Sequence, residues 1–162
     1  MHRAVCLLIL FLVPCGAVDK GDLADRLVCN KSKRELLLYR REKVIRAYKV
    51  ALGRNPVGPK LRKGDSKTPE GSYTISGRNA ASAYHRSLRI SNPSAADLVR
   101  SKRQGLDPGG DIMIHGLPNG QGYIGAAHRL IDWTVGCIAV TDTEIEEIWR
   151  LVPDGTPIQI NP

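Results

Sequence analysis

The chain of 162 residues has few aromatic side chains and lacks the short motifs of several large enzyme classes. It contains one Phe and 5% aromatic residues in total, against 16 Gly and 10 Pro. This balance favours many short elements joined by tight turns over a helical bundle. The sequence contains no phosphate-binding P-loop, no dinucleotide fingerprint and no metal-ligand spacing. We therefore expect a single, mostly β domain with short helices, no internal repeat, no metal and no cofactor.

Acidic residues are also in the minority. The chain has 24 Lys and Arg against 16 Asp and Glu, which gives a formal net charge of +8. Such a charge favours binding to anionic polymers, and charge alone leaves nucleic acid, membrane and cell wall open as partners. Because 42% of the residues are hydrophobic, the chain has enough apolar side chains to form a core, and disorder is excluded as its main state.

No apolar run near the N-terminus is long enough to cross a membrane as a helix. The run at residues 4–13 falls well short of the roughly 20 residues that a bilayer requires. A short apolar run after a basic residue and before small residues is typical of a secretory signal peptide. We predict a signal peptide over residues 1–17 and one domain over residues 22–162, periplasmic or secreted. A lipoprotein signal ending at Cys15 is the alternative.

Cleavage of this signal would leave two thiols, Cys29 and Cys137, in an oxidising compartment. A disulfide between them is one interpretation. Their surroundings differ, however, because Cys29 lies in an apolar segment that suits a buried thiol, whereas Cys137 lies beside glycine and polar residues. The absence of a Cys-x-x-Cys pair makes a thiol oxidoreductase the weaker hypothesis.

The spacing of apolar residues predicts a succession of strands, with one long loop. Predicted strands cover residues 27–30, 35–40, 43–52, 72–76, 88–91, 111–116 and 157–160. Turn-forming residues fill the interval 53–71, and loops of this length are usually functional. We expect Asp65 and Thr68 to shape this loop through hydrogen bonds to the backbone.

Two short helices are predicted. The first covers residues 95–104, and the second begins at Thr141, where Glu144 completes a capping box. Three residues of the second helix share one face, and we assign them to the core: Ile145, Ile148 and Trp149.

Two segments place a reactive side chain beside glycine where an apolar strand meets a polar loop. His115 precedes Gly116, and Cys137 follows Gly136. A thiol becomes a nucleophile when a base removes its proton, and histidine is the usual base near neutral pH. The pair suggests a Cys–His nucleophilic site with a fast-reacting thiol of low pKa, although a structural histidine and a core cysteine also explain the residues.

Three segments, in order along the chain, resemble the signature of the L,D-transpeptidase catalytic domain (YkuD) family. They are KGDSKTPEGSY at residues 63–73, GGDIMIHG at 109–116 and DWTVGCIAVT at 132–141. Members of this family have a β-rich, sandwich-like domain, act on bacterial peptidoglycan outside the cytoplasm and use a cysteine. The resemblance implies a YkuD-type single domain with peptidoglycan as substrate and a role in cell-wall biogenesis and cell shape.

The resemblance also implies roles for individual residues. Cys137 would be the nucleophile, and His115 would be the general base and later the acid. The carbonyl of Gly116 would orient the imidazole, and the backbone N–H groups of Gly136 and Cys137 would form the oxyanion hole. Thr134 occupies the family's Ser/Thr position.

The implied reaction is a two-step acyl transfer. The thiolate would form a thioester with a stem tetrapeptide and release the terminal D-alanine, and an amine would then resolve the thioester. The acceptor would be a second stem peptide, a free D-amino acid or a protein lysine, whereas transfer to water would make the protein a carboxypeptidase.

Two residues depart from the commonest pattern of the family. Val135 stands where many members have histidine, and Ala139 stands where they have arginine or asparagine. Both changes leave the nucleophile and the base in place, and they bear on the acceptor and on contacts to substrate carboxylates. Loss of activity is the alternative interpretation.

Three further residues are candidates for substrate binding beside Thr134. His128 would line the site or bond to the backbone as a loop histidine, and Arg129 would meet a substrate carboxylate or remain solvated. Trp133 would form a wall of the cleft or merely pack. Other basic residues, among them Lys31, are interpreted as surface charges that favour an anionic envelope.

Two rival functions use the same residues. One is an L,D-carboxypeptidase or amidase that hydrolyses these substrates, and the other is a non-catalytic, basic cell-wall-binding module. The expected partners are peptidoglycan stem peptides and the anionic cell envelope. We expect a monomer with no nucleic-acid partner and no stable membrane span.

Overall fold

The structure, a computed structural model, describes residues 23–162, so the predicted signal peptide and Cys15 lie outside the described residues. In the described part, eight strands form one mixed sheet. The strands are β1 (Arg26–Asn30), β2 (Glu35–Arg40), β3 (Lys43–Lys49), β4 (Gly71–Ser82), β5 (His85–Ile90), β6 (Met113–His115), β7 (Ile138–Ala139) and β8 (Pro157–Asn161). The helices are α1 (Ala95–Arg103) and α2 (Asp142–Leu151), with a 3₁₀ segment at Gly122–Leu130. The prediction of a mostly β domain with short helices is confirmed.

The first three strands form the predicted antiparallel meander. β1 pairs with β2 and β2 pairs with β3, and the alternating apolar residues of β1 and β2 point into the core. The last strand, β8, returns to lie parallel to β1 and antiparallel to β4. The order across the sheet is β3-β2-β1-β8-β4-β5-β6-β7. The C-terminal strand therefore joins the meander to the half of the sheet that carries β6 and β7.

β4 belongs to both halves of the sheet and is longer than the sequence predicted. Its first four residues pair with β8, whereas most of the rest forms a hairpin with β5. Two register shifts in this hairpin mark β-bulges, which increase local twist and bending. The sequence predicted only 72–76 as strand, because residues 78–81 are all exposed and show no apolar alternation.

α2 packs against the core and has the predicted capping box. The side chain of Thr141 accepts a hydrogen bond from the backbone N–H of Glu144, and the Glu144 carboxylate accepts one from the backbone N–H of Thr141. Ile145 and Ile148 are fully buried, as predicted. Trp149 is only partly buried; it packs against the core, and two guanidinium groups lie over its ring, at 4.9 and 5.0 Å from the ring centre. Its assignment to the core is corrected to the edge of the core.

The 3₁₀ segment between β6 and β7 has no counterpart among the predicted elements. It is interrupted at Gly125, where φ is +52° and ψ is −137°, a conformation that glycine adopts readily. Gly122 and Gly125 disfavour a continuous helix here, and the sequence analysis predicted none. Within residues 23–162, no helix combines the length and the apolar character needed to cross a membrane.

Candidate active site

β6 and β7 bring the predicted histidine and cysteine to one region of the sheet. The two strands are parallel, with Ile114 opposite Ile138. His115 is the last residue of β6, and Cys137 immediately precedes β7. Both residues line one cavity, whose volume is about 430 Å³. The fold thus brings together two residues that are 22 positions apart in the chain, 137 − 115 = 22.

Two aromatic rings form the wall beside His115. The ring centre of Tyr84 lies 4.5 Å from that of His115, and the Trp133 ring meets His115 edge-on at 5.7 Å. Thr134 and Val135 also line the cavity, and Val135 is 64% exposed. Trp133 and Thr134 therefore both line the cavity, and their contact with substrate stays a prediction. The remaining lining residues are Arg54, Asn79, Ser82, Ala83, Ser87, Asp111, Met113, His115 and Cys137.

The imidazole of His115 is held in one tautomer. Its Nδ1 lies 2.7 Å from the carbonyl oxygen of Gly116, and because a carbonyl only accepts, Nδ1 carries the proton and donates it to this contact. Nε2 is consequently unprotonated and available as a proton acceptor. Burial lowers the pKa of His115, against the opposing effect of the Gly116 carbonyl. The ring is therefore neutral at pH 7, as a general base must be.

The thiol of Cys137 is protonated in this arrangement. Burial of the sulfur raises the pKa of Cys137, while a hydrogen bond from the backbone N–H of Met113 acts in the opposite direction. The thiol itself donates a weak hydrogen bond to the carbonyl oxygen of Asp111, 3.5 Å from Sγ. The expected low pKa is thus wrong for the resting site, because the protein walls that enclose the sulfur disfavour its charge.

Cys29 and Cys137 are both free, so the disulfide interpretation is wrong for this structure. Cys29 lies in β1 and is fully buried in the core. Burial raises the pKa of its thiol to about 12, which makes it chemically inert at neutral pH. It is a small apolar side chain in this fold, as its sequence neighbours indicated.

The turn before the cysteine is built by Thr134. Its hydroxyl donates to the carbonyl oxygen of Cys137 at 2.8 Å and accepts from the backbone N–H of Gly136 at 3.1 Å. The N–H of Gly136 is therefore already engaged, and its predicted place in the oxyanion hole is not supported by this geometry. Gly136 itself has φ +134°, and a Cβ there would lie 2.7 Å from the carbonyl oxygen of Lys67. Only glycine fits this turn without displacement.

The segment that leads into this turn is anchored by Asp132. Its carboxylate forms an ion pair with Arg34 at 2.8 Å and accepts a hydrogen bond from the backbone N–H of Leu52 at 2.9 Å. The N–H of Thr134 in turn donates to the carbonyl of Leu52 at 3.1 Å. Asp132 thus fixes the segment that carries Cys137 to the meander and to the start of the long loop.

The long loop at 53–71 is shaped as the sequence predicted. The carboxylate of Asp65 accepts hydrogen bonds from three backbone N–H groups of the loop and from the ammonium of Lys60. The hydroxyl of Thr68 accepts from the backbone N–H of Gly53 at 3.0 Å. These contacts close the loop on itself next to the cysteine turn.

Lys31 is a buried anchor of the same loop, which corrects its interpretation as a surface charge. It is 2% exposed, and its ammonium donates to the carbonyl oxygens of Gly58 and Thr68 and to the carboxylate of Glu70, at 2.8, 3.0 and 2.7 Å. Sequence reasoning missed this role because a lysine in a predicted turn is ordinarily solvated.

His128 and Arg129 do not line the cavity. His128 is 6% exposed, and its Nδ1 accepts the indole N–H of Trp133 at 3.3 Å. Arg129 forms an ion pair with Glu144 of α2. Both side chains are bonded to these partners and neither lines the cavity, so the direct substrate contacts expected for them are not seen in this geometry.

Two residues that contact His115 or Cys137 escaped the sequence analysis. Tyr84 lies in a stretch of Ser, Ala and Arg without apolar alternation, and its neighbour His85 points instead to Glu146, at 2.8 Å. Asp111 contributes its backbone carbonyl, for which no side-chain pattern exists. Within residues 23–162, no group of three or more His, Cys, Asp or Glu has a metal-binding arrangement, and the expectation of a metal-free site stays a prediction.

Known proteins with similar sequences belong to one family. The sequence profile of the L,D-transpeptidase catalytic domain family (YkuD) matches residues 24–160. YafK of Escherichia coli (strain K12), named as a candidate L,D-transpeptidase, is 31% identical over 129 residues, which cover 75% of this chain and 44% of YafK. YqjB of Bacillus subtilis (strain 168), named in the same way, is 24% identical over 99% of this chain and 85% of YqjB.

Solved structures show the same fold. The helical cell shape determining protein Pgp2 of Campylobacter jejuni is 25% identical, with a TM-score of 0.64 over 88% of this chain and 51% of Pgp2. An L,D-transpeptidase of Xylanimonas cellulosilytica is 14% identical and has a TM-score of 0.57 over 88% of this chain, a likeness of fold alone. The chain thus spans less than half of YafK and about half of Pgp2. Because the family profile matches residues 24–160 and the fold is shared, the chain belongs to the L,D-transpeptidase catalytic domain (YkuD) family.

Proposed function

We propose that the protein is a peptidoglycan L,D-transpeptidase with Cys137 as nucleophile and His115 as general base. The observation that carries the proposal is the pairing of the two side chains on one cavity, with the Nδ1 proton of His115 bound to the Gly116 carbonyl. Nε2 is left as the one ring nitrogen that can take the thiol proton. Membership of a family named for this activity supports the same assignment.

In the first half-reaction, Nε2 of His115 takes the proton of the Cys137 thiol while the sulfur attacks the carbonyl carbon of the third stem residue. A carbon–sulfur bond forms, and the bond to the nitrogen of the terminal D-alanine breaks as the tetrahedral intermediate collapses. The imidazolium gives its proton to the departing amine. Transfer of the proton during attack suits this site, because burial favours the neutral forms of both residues at rest.

In the second half-reaction, an amine attacks the thioester and His115 takes its proton. The carbon–sulfur bond breaks, a new amide forms, and Cys137 recovers its proton from the imidazolium. We assign stabilisation of the oxyanion to the backbone N–H of Cys137, since the N–H of Gly136 is engaged by the hydroxyl of Thr134. The substrate lies outside the cytoplasm, so the proposal includes export and a role in cell-wall remodelling.

Intact-protein mass spectrometry tests the nucleophile. On incubation with a stem tetrapeptide, the protein is expected to gain the mass of the donor minus D-alanine. Cys137→Ala abolishes the adduct, and Cys29→Ala, a matched control on the buried thiol, retains it. His115→Gln slows its formation. An adduct that persists in Cys137→Ala means that another residue is the nucleophile.

Product analysis tests the second step. With an added amine acceptor, a new amide product is expected in place of the free tripeptide. Tripeptide alone, whatever amine is present, means that the protein is an L,D-carboxypeptidase. Binding to isolated cell walls without any turnover means that it is a non-catalytic module.

A further inference from the structure

His128 occupies a position that is unfavourable for a histidine. Its Nδ1 accepts the indole N–H of Trp133, so the neutral ring must carry its proton on Nε2. That nitrogen is buried and has no hydrogen-bond partner among residues 23–162. A buried donor without a partner destabilises the fold, and an apolar side chain would avoid this. The contact made by Nδ1 is therefore the feature of this side chain that needs an explanation.

Trp133, the hydrogen-bond partner of Nδ1, also contacts His115 of the proposed catalytic pair. Trp133 is held at its indole N–H by His128, and its ring meets His115 edge-on at 5.7 Å. Tyr84 completes the group, at 6.1 Å from Trp133 and 4.5 Å from His115. The indole N–H is the only polar atom of the Trp133 side chain, so its bond to His128 restricts rotation of the ring beyond what packing alone does.

The surroundings of His128 keep Nδ1 able to accept. Burial, followed by the neighbouring cation of Arg129, lowers the pKa of His128 to about 4. The other charged or titratable groups that act on it are Glu144 and Asp142 of α2, which work in the opposite direction, and His115 of β6. The ring is accordingly neutral across the pH range in which a Cys–His enzyme works.

We propose that His128 is a positioning residue, which fixes the Trp133 ring against the imidazole of His115 and so keeps the base enclosed and aligned with Cys137. The effect that we expect His128 to have on catalysis rests on the proposed function. His128 touches neither substrate nor the reacting atoms, and it acts through Trp133.

Three variants test the proposal. His128→Leu removes the acceptor, His128→Asn offers a side-chain oxygen in place of Nδ1, and Trp133→Phe removes the donor but keeps an aromatic ring. In His128→Leu, the Trp133 indole N–H is expected to exchange faster with solvent, while that of Trp149 serves as the internal control. The pKa of His115, read by NMR titration, should rise toward its ordinary value, because a displaced ring admits water that stabilises the imidazolium.

On turnover, His128→Leu is expected to lower kcat about 3- to 10-fold, the factor for one neutral hydrogen bond, with KM changed less than about 2-fold. The acid limb of the pH profile should move to higher pH with the pKa of His115. His128→Asn should restore both, and His128→Leu combined with Trp133→Phe should lose no more than the larger single change. A variant that is merely less stable lowers the active fraction without moving the pH profile.

The outcomes separate this proposal from the proposed function. If the unmodified protein forms no acyl-enzyme, the transferase assignment fails, yet indole exchange and the His115 titration still decide the role of His128. If both stay unchanged in His128→Leu, or if His128→Asn behaves as His128→Leu does, the positioning role is overturned. Should His128→Leu fail to fold, Trp133→Phe provides the same test, and an unshifted His115 titration there overturns the proposal.

Discussion

Replacing Gly136 by alanine tests how the turn before Cys137 is packed. A Cβ on this glycine would lie 2.7 Å from the carbonyl oxygen of Lys67 and 3.0 Å from Cδ1 of Ile112, and its φ of +134° is unfavourable for any L side chain. The Lys67 carbonyl belongs to the long loop, whose next residue, Thr68, is bonded to the buried ammonium of Lys31. The loop therefore cannot move aside without breaking buried contacts.

The expected loss has two parts. Overpacking of a tight site costs about 1–3 kcal/mol. The strained backbone conformation adds about 1–3 kcal/mol, so the free energy of unfolding of Gly136→Ala should fall by about 2–6 kcal/mol. Gly120→Ala is a matched control, because Gly120 has φ +82° and a Cβ added there would meet no atom within 4 Å. It should lose only the backbone part, about 1–2 kcal/mol.

Urea unfolding followed by tryptophan fluorescence measures both losses, provided that the m-values agree. Gly136→Ala should also slow alkylation of Cys137, since the turn that carries the sulfur is displaced, whereas Gly120→Ala should leave that rate unchanged. Equal stabilities of the two variants, within about 0.5 kcal/mol, would refute the argument from close approach.

Three further predictions concern buried polar groups and thiols. Lys31→Met should lower the free energy of unfolding by about 3–5 kcal/mol, because the Glu70 carboxylate loses its partner, and adding Glu70→Gln should recover part of the loss in urea titrations. Burial alone would raise the pKa of Asp65, but hydrogen bonds from Arg62, Lys60, Leu61 and Lys67 outweigh it and lower the pKa to about 2. A carboxylate whose pKa is lowered by folding stabilises the folded protein at pH values above its unfolded-state pKa. Asp65→Asn should therefore lower the free energy of unfolding by about 2 kcal/mol at pH 7, and the difference from the unmodified protein should shrink as pH falls from about 4 to about 2. A difference in stability that is independent of pH contradicts this. A thiol reagent should modify Cys137 in the folded protein and Cys29 only after unfolding, and modification of both at one rate contradicts the burial of Cys29.

Several features of the protein follow from local sequence signals. The meander of β1 to β3 follows from alternating apolar residues, and the start of α2 follows from the capping box of Thr141 and Glu144. The sequence predicts that His115 and Cys137 share one site, because each side chain stands beside glycine at a strand end and because three motifs occur in the family's order. The Asp65 contacts within the long loop are local as well, since their partners lie within five residues.

The tertiary structure decided the features that depend on contacts between distant segments. Burial of the sulfur raises the pKa of Cys137, and its thiol contacts the carbonyl oxygen of Asp111, 26 residues away in the chain. Lys31 is buried because carbonyl oxygens of the long loop, 27 and 37 residues away, accept hydrogen bonds from its ammonium. The sequence by itself determined which chemical groups are present and predicted the strand that carries His115. The burial of Lys31 and the raised pKa of Cys137 depend on packing between segments that meet only in the folded chain, and the tertiary structure alone decided them.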